Sequence, residues 1–402
     1  MVYNKIHFKY QQILSHPRIY LLFVNLYFFI SLALMNEAWG KEVIEYRMND
    51  LQYVSVDRIR LSITVTSSGD ILNAYGCSSR IVCFALREIL IFYYSKYICV
   101  SKGKGEESHM DKVHSADLAD WLGSIIRGFI NNPAENTTED QVNENAWENP
   151  LVGFSRGDDP LYYGYKKHIG PVHWTPLEIF TMTFPDMTVM PEDLTIISWI
   201  LPQTEPTKAD NRKETAYASE RWAKTRLYGE QINDRLRKHV VTVLQENAYS
   251  ALAPVLSPQW QWFGGETSDD SRFTSTWSER HAAYASGLGT FGLCDGLITE
   301  RGKAMRTGSV VALVRIPPSP RPYDNHHAYC LFFTQGLCGQ CIPRCPVGAI
   351  TEAGHDKIKC FNHCYKTSKN YTNSHYGLDF GACGLCQTKV PCESKIPLIT
   401  DI

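Results

Sequence analysis

Apolar residues recur at helical spacing in two stretches of the chain. The first stretch follows Met110 and predicts an amphipathic helix with five apolar positions. These positions are Leu118, Leu122, Ile125, Ile126 and Phe129. The second stretch, residues 217–246, also predicts a helix, and its apolar side includes Trp222 and Leu236. Its other side is basic, and this side is either solvated or contacts the tail of a cofactor. The basic residues are Arg221, Lys224, Arg226, Arg235, Arg237 and Lys238.

Short apolar runs predict the strands. Residues 194–201 form a β-rich run that ends at a proline, which predicts a buried strand. Residues 251–256, 297–299 and 309–314 are predicted to be further strands, with residues 306–308 as the turn between the last two. Helices and strands that alternate along the chain favour an α/β layered domain.

A polar segment separates the first helix from these strands. Residues 131–159 are polar and acidic, and we interpret them as a linker or loop. Pro160 and Pro176 predict turns in the stretch that follows. His168 and His173, which precede a tryptophan, either line a cofactor pocket or are ordinary loop histidines.

Residues 1–109 differ in character from the rest of the chain. Residues 19–35 are apolar and uncharged and reach the lower length limit of a membrane span. Three interpretations stay open for this region: a membrane anchor, a globular extension, or a native protein that begins at Met110. A second apolar run, residues 81–100, contains charged residues and is a poor candidate for a span.

Composition narrows the class of protein. The 402 residues suffice for two or three domains, and the 20% of charged residues and 12% of aromatic residues indicate a globular chain. A formal net charge of −2 gives no overall signal for nucleic acid, so we do not expect it as a partner. Cysteines that cluster as free thiolates predict a reducing compartment, the cytoplasm, with membrane attachment only through residues 19–35.

Nine of the 13 cysteines fall within residues 330–392. They are Cys330, Cys338, Cys341, Cys345, Cys360, Cys364, Cys383, Cys386 and Cys392. Two blocks in this region have a C-x2-C step followed by a cysteine beside a proline. Bacterial-type ferredoxins bind two 4Fe–4S clusters with such blocks, and the last cysteine of each block binds the other cluster.

This pattern predicts two ligand sets, each drawn from both blocks. The first block has Gln335 where its first cysteine is expected, and Cys330 is the natural replacement. The first set is therefore Cys330, Cys338, Cys341 and Cys392. The second set is Cys345, Cys383, Cys386 and either Cys360 or Cys364. A zinc site would use only four of the nine cysteines, and a disulfide framework suits smaller secreted domains.

The glycine-rich stretch that precedes these blocks carries a family resemblance. The Glu279-Arg280 pair, the glycines Gly287, Gly289 and Gly292, and the two cysteine blocks resemble the iron–sulfur oxidoreductases. That superfamily includes epoxyqueuosine reductase and, more distantly, the reductive dehalogenases. The resemblance covers about residues 273–397 firmly and extends loosely back to about residue 148.

The resemblance implies an α+β chain with a cobalamin-binding, nitroreductase-like α/β domain and a ferredoxin-like domain with two 4Fe–4S clusters. We place these domains at residues 110–320 and 321–402. Relatives commonly have the extra cluster ligand where Cys360 stands, and the run after Cys364 is more polar and would expose a thiolate. We therefore assign Cys360 to the second set and leave Cys364 spare.

The same resemblance suggests further site residues. Gly287, Gly289 and Gly292 are expected at the cofactor, because glycine allows a close approach of the backbone. The proton donor is expected at Asp269 or Asp270, and Tyr228 is a further catalytic candidate. Cys294, just after the glycines, is either a redox thiol or a buried structural cysteine.

Together these features predict an oxidoreductase. Two 4Fe–4S clusters would pass electrons to a bound corrinoid and on to a small organic substrate. A redox partner of ferredoxin or flavodoxin type would supply the electrons. The alternative is a non-catalytic ferredoxin-like electron carrier, which would hold the clusters without a second cofactor.

Overall fold

The computed structural model describes three β-strands within residues 52–75, and residues 115–137, 144–264 and 273–402. The contacts divide the chain into Met1–Met110 and Asp111–Ile402. In the first unit β1 (Gln52–Val56), β2 (Ile59–Val65) and β3 (Ile71–Tyr75) form an antiparallel sheet in that order. The apolar runs at residues 19–35 and 81–100 lie outside the described residues. Within the described part, no helix is long and apolar enough to cross a membrane.

A four-stranded antiparallel sheet forms the centre of the second unit, in the order β4-β5-β11-β6. Its strands are β4 (Leu151–Arg156), β5 (Leu194–Pro202), β6 (Ala251–Leu252) and β11 (Met305–Leu313). All nine residues of β5 are buried, as the sequence predicted. Because β5 pairs with a strand on each side and is covered on both faces, its apolar run is continuous rather than alternating.

Strand β11 begins earlier than the sequence indicated. Residues 306–308, predicted to be a turn, pair with β5 in regular register, Gly308 opposite Trp199. A Cβ at Gly308 would collide with the Trp199 indole. The glycine therefore makes room for a neighbouring tryptophan instead of reversing the chain, and the prediction of a turn is wrong.

One face of the sheet is covered by two long helices, α1 (Ser115–Asn131) and α6 (Glu220–Glu246), as their apolar spacing predicted. The core between them and the sheet is built from Leu122, Ile126, Ile197, Leu236 and Val240, which are all fully buried. Helix α6 begins at Ser219, whose hydroxyl accepts a hydrogen bond from Trp222 N at 3.3 Å.

The other face is covered by α3 (Pro160–His168), α4 (Pro176–Thr183) and α7 (Glu279–Ala285). Pro160 and Pro176 were predicted to form turns, but each occupies the first turn of a helix, where a missing N–H costs nothing. A reciprocal capping box between Thr175 and Glu178 fixes the start of α4.

Two further predictions from the polar pattern need correction. Residues 131–159, read as a linker, contain α2 (Pro133–Asn136) and the edge strand β4. The strand was missed because Gly153 interrupts its apolar run, and a Cβ at that glycine would clash with the Ser286 carbonyl. The strand predicted at residues 251–256 is only β6, and Pro254 then starts a 3₁₀ turn.

The basic side of α6 is not uniformly solvated. Arg237 is 1% exposed, and its guanidinium donates to Glu279 Oε1 at 3.1 Å and to Glu230 Oε1 at 3.0 Å. It also donates to the Thr307 carbonyl in β11 at 3.1 Å. Glu279, half of the motif pair, accepts a hydrogen bond from Ser309 as well. This buried network therefore ties α6 and α7 to the central sheet.

The remaining elements are short and surround the cysteine blocks. The strands are β7 (Trp262–Phe263), β8 (Thr274–Ser275), β9 (Thr290–Phe291), β10 (Leu297–Ile298), β12 (Ile350–Thr351) and β13 (Gly354–His355). The helices are α5 (Glu205–Lys213), α8 (Leu331–Gln335), α9 (Lys357–Phe361) and α10 (Ser368–Tyr376). A π-helical segment, Asn362–Thr367, joins α9 to α10. The described chain is thus a mixed α+β protein.

Candidate metal centre

Two cavities lie among the cysteine blocks. The smaller cavity is bordered by Cys330, Cys338, Cys341 and Cys392. The larger has a volume of about 270 Å³ and is bordered by Cys294, Cys345, Cys360, Cys364, Cys383 and Cys386. Each cavity therefore takes cysteines from both sequence blocks: Cys392 of the second block joins the first, and Cys345 of the first joins the second.

Local turns bring the four cysteines to the smaller cavity. Cys330 precedes α8, and that helix ends at Gly336 in the left-handed conformation, with a φ of 64°. The chain reverses there, and Cys338 follows with a φ of 76°. Glycine is the residue that adopts this conformation most readily. The short helix and its reversal therefore let Cys330 and Cys338 border the same cavity although they are eight positions apart in sequence.

The four cysteines of the second predicted set reach the larger cavity from three segments. Cys345 ends the first block, and its Sγ accepts a hydrogen bond from Ala349 N at 3.2 Å. Cys360 comes from α9, and Cys383 and Cys386 flank a left-handed Gly384. A Cβ at Gly384 would collide with the Trp222 indole of α6, so this glycine allows the second block to pack tightly against the long helix.

The positions of Cys360 and Cys364 do not show which of the two is the better candidate ligand. Both are half-buried, both border the larger cavity, and their Sγ atoms lie 4.0 Å apart. The expectation that Cys364 would face water is wrong. The four-residue spacing places both thiols on one side of the helical segment, and the π-helical turn at Asn362–Thr367 keeps Cys364 on the inside.

A charged pair stands beside Cys360. His355 Nδ1 lies 3.1 Å from Asp295 Oδ2. Burial opposes the charge on His355, but the hydrogen bonds to Asp295 and Cys360 outweigh it and raise the pKa of His355 to about 10. The hydrogen bond from Cys364 lowers the pKa of Cys360 to about 5. Burial opposes this shift, and His355 acts in the same direction as Cys364. The His355 cation and the hydrogen bond between the two thiols therefore favour a thiolate at this cysteine pair, which is the form that binds metal.

Cys294 and Lys303 were not predicted to belong to this site. Lys303 Nζ donates to Cys294 Sγ at 3.3 Å, and both residues are buried. Hydrogen bonds from Cys341 and Cys386 lower the pKa of Cys294 well below its ordinary value, and Lys303 acts in the same direction. Position after the glycines was the only sequence signal for Cys294, and Lys303 gave none, because its neighbours are distant in sequence.

The lining of the larger cavity is also basic and polar. It carries Arg226 of α6, Arg280 of α7 and Arg306 of β11, and its described lining contains no aspartate or glutamate. Two buried polar atoms there, Gln203 Oε1 and His363 Nε2, have no hydrogen-bond partner among the described residues. Orphaned polar atoms of this kind indicate a position where another polar group is accommodated.

The other predicted residues do not gather at the larger cavity. Gly287 and Gly289 lie against the backbone carbonyls of Pro320 and Ile298, which explains their lack of a side chain without a ligand. Gly292 borders the smaller cavity. Tyr228 packs with Trp222 in a hydrophobic cluster. Their assignments as cofactor-binding or catalytic residues remain predictions.

Asp269 and Asp270, the predicted proton donors, lie outside the described residues. His173 is fully buried away from both cavities, between Tyr165 and Trp277, so the interpretation as a packed histidine fits its position.

Among the described residues, no group of three or more His, Cys, Asp or Glu side chains converges on a single ion. A structural zinc ion needs four ligands around one point. A cluster instead takes one thiolate on each of several iron atoms, so its ligands surround a volume. The four thiols around the smaller cavity and the six around the larger one fit the donor chemistry of a cluster.

In the comparisons with known proteins, the chain matches solved structures only. No protein-family model and no curated protein matches the chain. An epoxyqueuosine reductase structure matches with 14% identity and a TM-score of 0.38, over 69% of this chain and 66% of that one. Epoxyqueuosine reductase from Streptococcus thermophilus matches with 15% identity and a TM-score of 0.33, over 70% and 66%.

A reductive dehalogenase structure, whose title describes B12-dependent dehalogenation, matches with 14% identity and a TM-score of 0.40, over 75% of this chain and 34% of that one. The chain thus spans just under two thirds of those two reductases and about a third of this dehalogenase. These are the two groups that the sequence motifs resemble.

Proposed function

We propose that the protein is an oxidoreductase that holds two 4Fe–4S clusters and passes single electrons to a second cofactor and a small organic substrate. The crosswise sorting of the cysteines carries this proposal. Each cavity receives cysteines from both sequence blocks, which is the arrangement that two-cluster ferredoxin blocks require. Neither a zinc site nor a disulfide framework requires each sequence block to supply cysteines to both cavities.

The lining of the two cavities supports the predicted ligand sets. Cys330, Cys338, Cys341 and Cys392 would hold the cluster at the smaller cavity. Cys345, Cys360, Cys383 and Cys386 would hold the cluster at the larger one. The clusters would supply one-electron reduction. The domain arrangement we propose is a nitroreductase-like α/β domain followed by the ferredoxin-like segment, with electrons from a ferredoxin or flavodoxin-type donor in the cytoplasm.

We propose that the second cofactor is a corrinoid. One wall of the larger cavity comes from α6, α7 and β11, and most of its other lining residues come from the cysteine blocks and the segments around them. Arg226 and Arg306 both reach Glu230, at 3.8 Å and 3.7 Å, and that carboxylate is already bound to Arg237. This wall therefore keeps excess positive charge, which suits an anionic group of a cofactor or substrate.

Iron analysis of the full-length protein, purified without oxygen, tests the proposal. We expect roughly eight iron atoms per chain, four for each cluster, and an electron paramagnetic resonance signal after reduction with dithionite. One zinc ion per chain with almost no iron would refute it. The visible spectrum of the same sample tests for the corrinoid: clusters without a second chromophore, together with efficient electron transfer to an acceptor protein, would favour the electron carrier.

A further inference from the structure

A buried lysine separates the two cavities. Lys303 is 3% exposed and borders both of them. Its Nζ donates to Cys294 Sγ at 3.3 Å, and its backbone N–H donates to the Cys392 carbonyl at 2.9 Å. Lys303 is therefore held both at its ammonium and at its backbone N–H. It lies between Cys294, a thiol that neither ligand set uses, and Cys392, a proposed ligand at the smaller cavity.

Lys303 has no carboxylate partner in the part of the chain that the structure describes. None of the ion pairs among the described residues includes it, whereas Lys208, the other buried lysine of that part, pairs with Glu205 at 3.4 Å and Glu148 at 3.6 Å. A buried ammonium without a counter-charge is costly. The charged or polarisable groups around Lys303 are thiols, and they belong to Cys294, Cys392, Cys341 and Cys386. The ammonium is therefore balanced only by negative charge at these sulfurs.

We infer that Lys303 raises the reduction potential of the cluster held by Cys392, and so makes it easier to reduce. This inference rests on the proposed function. The potential of such a cluster depends on nearby charge and on hydrogen bonds to its sulfurs. Reduction adds one electron, supplied by an external one-electron donor, and no proton. The ammonium stabilises that added negative charge because the site is shielded from solvent.

The test is a redox titration of full-length protein, reduced stepwise with dithionite and followed by electron paramagnetic resonance. We expect Lys303→Met to keep its iron and to need a more negative potential, with at least a tenfold shift of the reduction equilibrium, about 59 mV for one electron. Lys208→Met is the matched control, since it removes a buried lysine that borders neither cavity. Its potentials should equal those of the wild type.

Lys303→Gln separates charge from hydrogen bonding, because the amide is neutral but still donates. A shift in this variant close to that of Lys303→Met supports the role of the charge. Wild-type potentials in either neutral variant, with iron retained, overturn the inference while leaving the proposed function intact. Loss of iron from both variants overturns it in favour of a role in assembly, and a wild-type protein without iron refutes the proposed function itself.

Discussion

Replacement of His173 by phenylalanine should make the protein more stable and less sensitive to acid. The imidazole stacks on Trp277, with ring centroids 5.9 Å apart, and meets the edge of Tyr165 at 5.8 Å. Both ring nitrogens are buried without a hydrogen-bond partner among the described residues. Phenylalanine keeps the ring contacts and removes the unsatisfied nitrogens, which should stabilise the fold by about 1–3 kcal/mol at pH 7.

The acid dependence follows from burial. Burial, and to a smaller extent Lys166, lowers the pKa of His173 to about 4 from its ordinary value of 6.5. The unfolded chain therefore takes up a proton below pH 6.5 that the folded chain refuses until about pH 4. Stability is unaffected above pH 6.5 and falls as the pH decreases. The loss should be about 1.4 kcal/mol at pH 5.5 and roughly 3 kcal/mol once the pH is below 4.

Urea unfolding between pH 7.5 and 5.5, under anaerobic conditions, measures this difference. We expect the wild type to lose about 1.4 kcal/mol more than His173→Phe over that range, since only the wild type carries the titrating imidazole. His281, whose pKa burial lowers to about 3, should leave both proteins some residual pH dependence. Equal losses in the two proteins, or a destabilised variant at pH 7, would refute the reasoning.

Two further predictions concern the buried charges and the paired thiols. Arg237→Met should destabilise the fold by about 3–5 kcal/mol in urea unfolding, because it leaves Glu279 buried without its cation, and Glu279→Gln added to it should recover part of the loss. A cost below 1 kcal/mol would contradict this view of the network. Cys360→Ala should lose iron or give a three-iron signal in electron paramagnetic resonance, whereas Cys364→Ser should retain both clusters. The reverse result would exchange their roles.

Sequence periodicity predicted the elements whose environment is uniform along their length. Helix α6 keeps buried apolar residues along one side and strand β5 is buried at all nine positions, so apolar spacing or continuity was sufficient to predict them. Gly308 was wrongly predicted to form a turn because its role depends on one neighbour, the Trp199 indole across the sheet. Pro176 was wrongly predicted to form a turn because it lies in the first turn of a helix. Such features are set by tertiary contact and leave no periodic signal.

The contacts of the site were predicted only in part for the same reason. The cysteine blocks carry their pairing in short spacings, whereas Lys303 approaches Cys392 across 89 positions of sequence. Nothing local distinguishes Lys303 from a surface lysine that follows a glycine. Buried ion pairs such as Arg237 with Glu279 are equally invisible, because a basic helix face gives the same pattern whether it meets water or carboxylates.

The spacing of the cysteine blocks differs from the ferredoxin pattern, and local backbone turns accommodate the difference. Five residues separate Cys386 from Cys392, where the pattern has three. The additional length is taken up by a 3₁₀ turn, Leu385–Gln387, and by Lys389 in the left-handed conformation, with a φ of 57°. Arg344 of the first block holds this turn by donating to the Leu385 and Thr388 carbonyls, both at 3.0 Å.

The first block shows the same kind of compensation. Gln335 stands where a cysteine is expected, and Cys330, the predicted replacement, borders the same cavity as Cys338 because the chain reverses after α8 at Gly336. Each irregular spacing is thus matched by a local reversal with a positive φ, which costs a non-glycine residue about 1–2 kcal/mol. A chain that only needed buried thiols would have no reason to keep these strained reversals. Both reversals are expected if thiols from each block must surround the two cavities.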